Sequence, residues 1–421
     1  MNRSPRSNVR RLAFGRLISV TGGAAAYTAL NFTIWHETHS PKMQALSLLL
    51  TFGVAGILGP FAGALGDRFD RRKVMIWSEA AAAVVFAAMA FAHEPIWLIA
   101  LAFGSAMAEQ PFFSSSRAAI PALVEREEDV SWANSLVTTG VHAGIAIGPV
   151  IGGLLVGTVG ASAVFALNAA TFIVSLLLTL TIRGRFKEAT PHATDEHRGI
   201  SAGLRFLVAD RVLRRMSLAW LVFVMGMGMG MVADAALADH FGAGALGFGL
   251  LIACWGTGSV LGSLGGRWMT ARTEPVWMVA GAAGIAVAAL GVGFLPLFWL
   301  VLLSLLLMGT AEGFAIVAEN GIMQRRTPDA VRSRTVAAFD AVLSFGLAIA
   351  YIVAAPVLRA VGPQAVYRIG GVTALGAALI LLPLARLRRD REIDGASPVD
   401  REALESLVEL TAQPAAPPGL S

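Results

Sequence analysis

Residues 63–73 read Gly-Ala-Leu-Gly-Asp-Arg-Phe-Asp-Arg-Arg-Lys, a knot of charge set between apolar runs at 43–65 and 74–92. Each run is long enough to cross a bilayer core, which takes about 20 apolar residues in a helix. So short a charged segment between two such runs reads as a tight turn at a membrane surface. Gly63 and Gly66 let the chain turn and let two helices pack closely. Asp67 needs a partner, either a cation or a helix N-terminus. Arg68, Arg71 and Arg72 can clamp opposing carboxylates. A plain surface anchor would use the basic residues but would not need Asp67 between glycines and arginines.

Outward from this turn the pattern repeats. Apolar stretches fall at 17–35, 43–65, 74–92, 96–116, 132–157, 161–182, 213–238, 244–266, 276–295, 297–318, 335–358 and 364–385. The reading is an all-α membrane protein of twelve spans. Loops as short as His93-Glu94-Pro95 force antiparallel neighbours. Composition agrees: 56% of residues are hydrophobic and 14% charged, against roughly 45–50% and about 25% in soluble domains. The 45 glycines suit helices packed closely in lipid, where small residues let backbones approach. Cys254 is the single cysteine, which excludes an internal disulfide and a multi-cysteine metal site. Residues 1–16 are basic and lead into a run that reads as a retained first helix rather than a cleaved signal.

The net charge is +5 and the pI about 10.0. With the N-terminus placed in the cytosol, all but three of the 33 Lys and Arg fall on the cytosolic side. The exceptions are Lys42, Arg359 and Arg368. This asymmetry is the positive-inside pattern. It places both termini in the cytosol and the chain as a multi-pass protein of the cell (inner or plasma) membrane. The basicity is topological, so nucleic acid is not an expected partner.

The longest interior polar stretch divides the spans six and six. The expected units are an N-terminal bundle at 1–182, a cytosolic linker at 183–212, a C-terminal bundle at 213–386 and a flexible cytosolic tail at 387–421. The halves show weak internal similarity. Gly63–Phe69 parallels Gly262-Ser-Leu-Gly-Gly-Arg-Trp268, although Gly266 stands where the first copy has Asp67. Glu109 and Glu312 occupy similar depths in the fourth span of each half.

The 63–73 segment resembles the loop signature of the major facilitator superfamily, with Asp70 where that family usually has Gly. Parallel six-span repeats about an axis along the membrane normal are its architecture. The resemblance implies two pseudo-symmetric six-helix bundles with a substrate site between them. It implies that Asp67 caps the start of span 11 near Arg334–Thr335 in the outward-open state, while a basic residue of the loop reaches Asp340. In span 5, Gly144, Gly148, Pro149, Gly152 and Gly153 match the motif that the family associates with antiporters. Small residues there make a smooth packing face, and Pro149 bends the helix. Residues 120–124, 133–136, 203–206 and 212–214 resemble the drug-exporter branch that includes siderophore and macrolide exporters. Two departures stand out. Gly22-Gly23 replaces the Gly-Asp common in span 1, and span 4 has no central arginine, only Arg117 at its cytosolic end.

Charges inside lipid are costly, at least ~2.5–3.5 kcal/mol each on insertion scales, so they mark functional candidates. Glu109, Glu312, Asp234 and His142 are the proton or substrate candidates, with Arg117. Glu79 and Glu319 lie near cytosolic ends as structural partners. A carboxyl buried in one state and hydrated in another can carry a proton across a transport cycle. The Met225–Met231 run, Met alternating with Gly, could form a pliable wall, with Phe32, Trp35, Phe112, Phe113 or Trp255 beside it. No nucleotide-binding loop, metal-ligand set or catalytic constellation appears, so no cofactor and no enzymatic role are expected. The expected function is a monomeric secondary-active exporter of small amphipathic compounds, drug, macrolide-like or siderophore, with protons as coupling ion and the bilayer as solvent. The alternatives are a facilitator or importer of a small nutrient, and a non-transporting membrane sensor. Asp67→Asn is expected to abolish most transport while the protein still inserts at normal levels. Unchanged transport at normal insertion would rule out the latch.

Overall fold

The computed structural model of the protein describes residues 5–54, 57, 69–120, 123, 124, 126, 128–182 and 196–386. Among them there is no strand. The first half contains α1 (Pro5–Thr38), α2 (Pro41–Leu48), α3 (Arg71–Phe91), α4 (Pro95–Ala119), α5 (Glu128–Val159) and α6 (Ala161–Thr181). The linker carries α7 (Glu196–Ala209). The second half contains α8 (Arg211–His240), α9 (Gly244–Leu264), α10 (Glu274–Phe294), α11 (Phe298–Arg326), α12 (Asp329–Val361) and α13 (Pro363–Arg386). Eleven of these helices are long and apolar enough to cross a membrane. The second span opens with α2 and a π-helical turn over Leu49–Val54, and most of the rest of it lies outside the described residues. So do Gly63, Gly66, Asp67 and Arg68, most of the linker before α7, and the tail at 387–421.

The helix ends follow from local chemistry. Pro stands first in α2, α4 and α13, where its missing N–H costs nothing and its φ is already helical. Asp70 caps α3 by accepting from the Lys73 N–H at 3.1 Å. This gives a local reason for the acid that stands where the resembling signature has glycine. Asp210 caps α8, accepting from the N–H groups of Val212 and Leu213 at 2.8 Å each. Two glycines at matching joints of the halves have positive φ: Gly160 between α5 and α6, at 87°, and Gly362 between α12 and α13, at 79°. Only glycine takes that backbone without strain.

The internal repeat is visible in the packing. In the first half α1 packs on α5 and α6, and α3 on α4 and α6. In the second, α8 packs on α12 and α13, and α10 on α11 and α13. These are the same pairings moved along by one half. Between the halves, α5 packs on α9 and α2 on α12, a pair of contacts that also exchange under the repeat. Large apolar side chains cover the outside, among them Val84, Phe91, Val287 and Leu379. Exposed tryptophans sit at both levels where a bilayer surface would lie. Trp97 and Trp299 begin α4 and α11, while Trp77 and Trp268 lie at the other face. That is the distribution of interfacial aromatic belts.

On the face opposite the N-terminus the halves close on each other. Trp35 at the end of α1 donates its indole N–H to Asp239 at the end of α8, at 3.4 Å. Ala45 and Leu48 of α2 share a buried cluster with Tyr351, Ala354 and Ala355 of α12. On the N-terminal face, among the described residues, three of the contacts between opposite charges each join helices of the same half. Arg6 pairs with Asp129 at 3.2 Å, Arg325 with Glu274, and Arg326 with Asp210 at 2.8 Å. The linker helix α7 lies against α12, where Gly203 comes directly onto the Arg334 carbonyl.

Glycines set the closest approaches. A methyl group at Gly152 would sit 2.5 Å from the Ala25 carbonyl oxygen of α1. Gly157, one turn on, meets nothing within 4 Å. Gly152→Val is therefore expected to lower stability by roughly 1–3 kcal/mol through overpacking, and Gly157→Val to be near neutral. Thermal denaturation of the two variants in detergent checks the contrast.

Candidate functional site

A cavity of about 520 Å³ lies between the halves, walled by α1, α3, α4 and α5 on one side and α8 to α11 and α13 on the other. Its walls are largely Ala, Met, Leu, Ile and Phe. Three carboxylates face it: Glu109 from α4, Asp234 from α8 and Glu312 from α11. One cation faces it among the described residues, Arg16 of α1.

Each charge has a partner, as burial demands. Glu312 accepts from the Trp255 indole N–H at 2.5 Å. Asp234 accepts from the Tyr367 hydroxyl. Arg16 is buried and stacks over Phe113 at 4.6 Å and Phe112 at 5.1 Å, within electrostatic reach of both Glu79 and Glu109. Arg16, Glu79 and Glu109 border one small void beside the main cavity. Glu79 is fully enclosed and accepts from the hydroxyls of Ser175 and, at 3.5 Å, Thr179. An apolar space with separated acidic poles can take an amphipathic guest or exchange protons with it.

The span 5 motif divides its work between two neighbours. Gly144, Gly148 and Gly152 turn to α1, where Thr21, Ala24 and Ala25 would collide with any side chain. Gly153 turns to α9 in the other half, and a methyl group there would lie 2.5 Å from the Ala245 carbonyl oxygen. Gly249 of α9 in turn rests on the Pro149 carbonyl. Pro149 also lines the cavity.

Other sequence candidates fall elsewhere. His142 is exposed on α5, beside Val141 and Ile145, which line the cavity. Arg117 lies in the last turn of α4 and its side chain is outside the described residues. Arg71 opens α3, and Arg72 donates to the Leu180 carbonyl at 2.7 Å, fastening α3 to α6. Asp340 of α12 lies within electrostatic reach of Glu319 of α11. Of the Met225–Met231 run, Met227 and Met231 reach the cavity and Met229 is buried. Of the aromatic candidates, Phe113 and Trp255 line it. Phe112 packs beneath Arg16, and Phe32 and Trp35 join clusters toward the closed face.

Among the cavity residues with no place among the sequence candidates are Arg16, Tyr27 and Tyr367. Arg16 counts as part of the basic N-terminal segment when the first span is started at residue 17. In the structure α1 begins at Pro5, and Val9, Leu12 and Ala13 are already buried. That helical spacing ahead of Arg16 was the available signal for a charge inside the span. Among the described residues no group of three His, Cys, Asp or Glu could hold a metal ion.

Comparison with known proteins adds three findings. A family model described as Major Facilitator Superfamily matches residues 12–234 and 216–417. "Enterobactin exporter EntS" of Escherichia coli O1:K1 / APEC is 28% identical over 399 residues, covering 91% of this chain and 93% of the relative. The protein of the same name from Shigella boydii serotype 18 (strain CDC 3083-94 / BS512) matches equally. Among solved structures, a POT family transporter in complex with 5-aminolevulinic acid aligns with a TM-score of 0.73 at 13% identity, over 91% of this chain and 96% of its own. A bacterial homologue of the iron transporter ferroportin aligns with a TM-score of 0.68 at 15% identity, over 91% and 100%. Likenesses at that identity speak for the fold alone.

Proposed function

The chain belongs to the Major Facilitator Superfamily of transporters, and from that premise we propose that it is a secondary-active exporter of small amphipathic organic compounds driven by proton antiport. The observation that carries the reading is the cavity between the halves, with its apolar walls and the three carboxylates Glu109, Asp234 and Glu312. A guest with a polar group and an apolar body fits such a space. A carboxyl that empties its proton on one side and refills on the other couples the guest to a gradient. The relatives named as enterobactin exporters support the export direction and leave drug, macrolide-like and siderophore substrates within the class. The α5 motif supports it too, because Gly153 and Pro149 sit in the seam that must part when the closed face opens.

In this mechanism residues 1–182 and 213–386 move as two bodies about the cavity, joined by the linker at 183–212. The contacts through Trp35, Asp239, Gly153 and Ala245 hold the closed face. The 63–73 turn and Asp340 form the opposing lock on the N-terminal face. That face is cytosolic by the positive-inside pattern, and the chain works as a monomer in the cell membrane.

The test is uptake into everted membrane vesicles across a panel of amphipathic compounds, with and without a protonophore. The expected result is accumulation that collapses when the proton gradient is removed, and loss of most gradient-driven accumulation in Glu312→Gln. Accumulation indifferent to the protonophore would refute proton coupling. No compound transported above vector controls would refute export.

A further inference from the structure

The chain has three tyrosines in 421 residues, Tyr27, Tyr351 and Tyr367. They stand on three different helices, α1, α12 and α13, yet all three lie within electrostatic reach of one carboxylate, Asp234. Tyr367 donates its hydroxyl to that carboxylate and lies within reach of Tyr27. The Tyr27 ring is held edge-on by Phe52, with centroids 5.7 Å apart. Tyr27, Asp234 and Tyr367 all line the cavity. Tyr351 stands behind them, fully buried, and donates to the Met231 sulfur at 3.5 Å.

A carboxyl that only carried protons would need a hydrogen-bond partner and access to water. It would not need aromatic rings gathered from both halves of the molecule. Rings beside a carboxylate are the chemistry that recognises an alkylated ammonium, because ring faces attract a cation whose methyl groups also seek apolar surface. We propose that Tyr27, Tyr367 and Asp234 form a cage for the ammonium group of an amphipathic organic cation, whose apolar body lies along Met227 and Met231. This deepens the transporter reading by naming its ligand class.

The cage straddles the seam. Tyr27 rides on the first half, and Asp234 and Tyr367 on the second. Parting of the halves on the closed face therefore draws Tyr27 away from Asp234. The cage holds the cation while that face is shut and loosens as it opens.

The experiment is equilibrium binding to the purified full-length protein in lipid nanodiscs, using 4-phenylbutyl-trimethylammonium and its uncharged tert-butyl isostere. The fixed charge cannot deliver a proton, so the assay separates ammonium recognition from protonation. The parent protein is expected to favour the ammonium compound. Tyr27→Leu should weaken the cation by about tenfold and leave the isostere within about twofold, while Tyr27→Phe, which keeps the ring, should bind both as the parent does. Asp234→Asn should erase the preference. Equal binding of the two compounds by the parent, equal loss of both in Tyr27→Leu, or loss of the preference in Tyr27→Phe would each overturn the cage. The Phe variant decides the matter alone if the Leu variant does not fold. Binding needs no gradient and no turnover, so a failed preference leaves export standing, and absent transport leaves the cage standing.

Discussion

Backbone-to-backbone contact through glycine is the constraint on which this structure rests. Lipid tails are as apolar as leucine, so burying apolar side chains gives helices little reason to associate in a membrane. Association comes instead from close packing, and α5 shows how one helix serves two partners. Its Gly144, Gly148 and Gly152 press on the α1 backbone within the first half. Its Gly153, with the Pro149 carbonyl, meets Ala245 and Gly249 of α9 across the seam. The first face is long and regular, with a glycine at every fourth position. The second reaches from Ile145, which faces Gly256 of α9, to Gly153.

The charges are disposed around the same seam. Buried carboxylates are tolerated because each has a donor or a cation at hand: Trp255 for Glu312, Tyr367 for Asp234, and Arg16 for Glu109. The ion pairs of the second half, Arg326–Asp210 and Arg325–Glu274, lie at the N-terminal face within one body. They tie helix ends to each other. On the closed face a polar bond crosses the seam, from the Trp35 indole to Asp239.

Much of this was legible in the sequence. Span positions, the two halves and the candidacy of Glu109, Asp234 and Glu312 follow from apolar length and the cost of charge in lipid. The pairings that bring those three carboxylates to one cavity do not, because a helical period fixes which residues share a face but not what the face meets. His142 illustrates the limit. It lies about 100° around the helix from the cavity-lining Val141 but only about 20° from the direction of Pro149, so the period sets it beside the lining face without saying what it meets there. Arg16 was hidden by a boundary, since charge near the start of a span reads as flank until the apolar spacing before it is weighed. The convergence of Tyr27, Tyr351 and Tyr367 was beyond reach altogether, because it depends on the docking of α1 against α8, α12 and α13.

The central claim is that two bodies move about one cavity and that the closed face is the one that opens. Spin labels at Glu37 and His240, exposed at the ends of α1 and α8 on that face, with Cys254 replaced by Ser, report it directly by pulsed electron spin resonance. The account predicts one short distance at rest and a second, longer one when a transported compound and a proton gradient are supplied. A single unchanged distribution in protein that is actively transporting would contradict it.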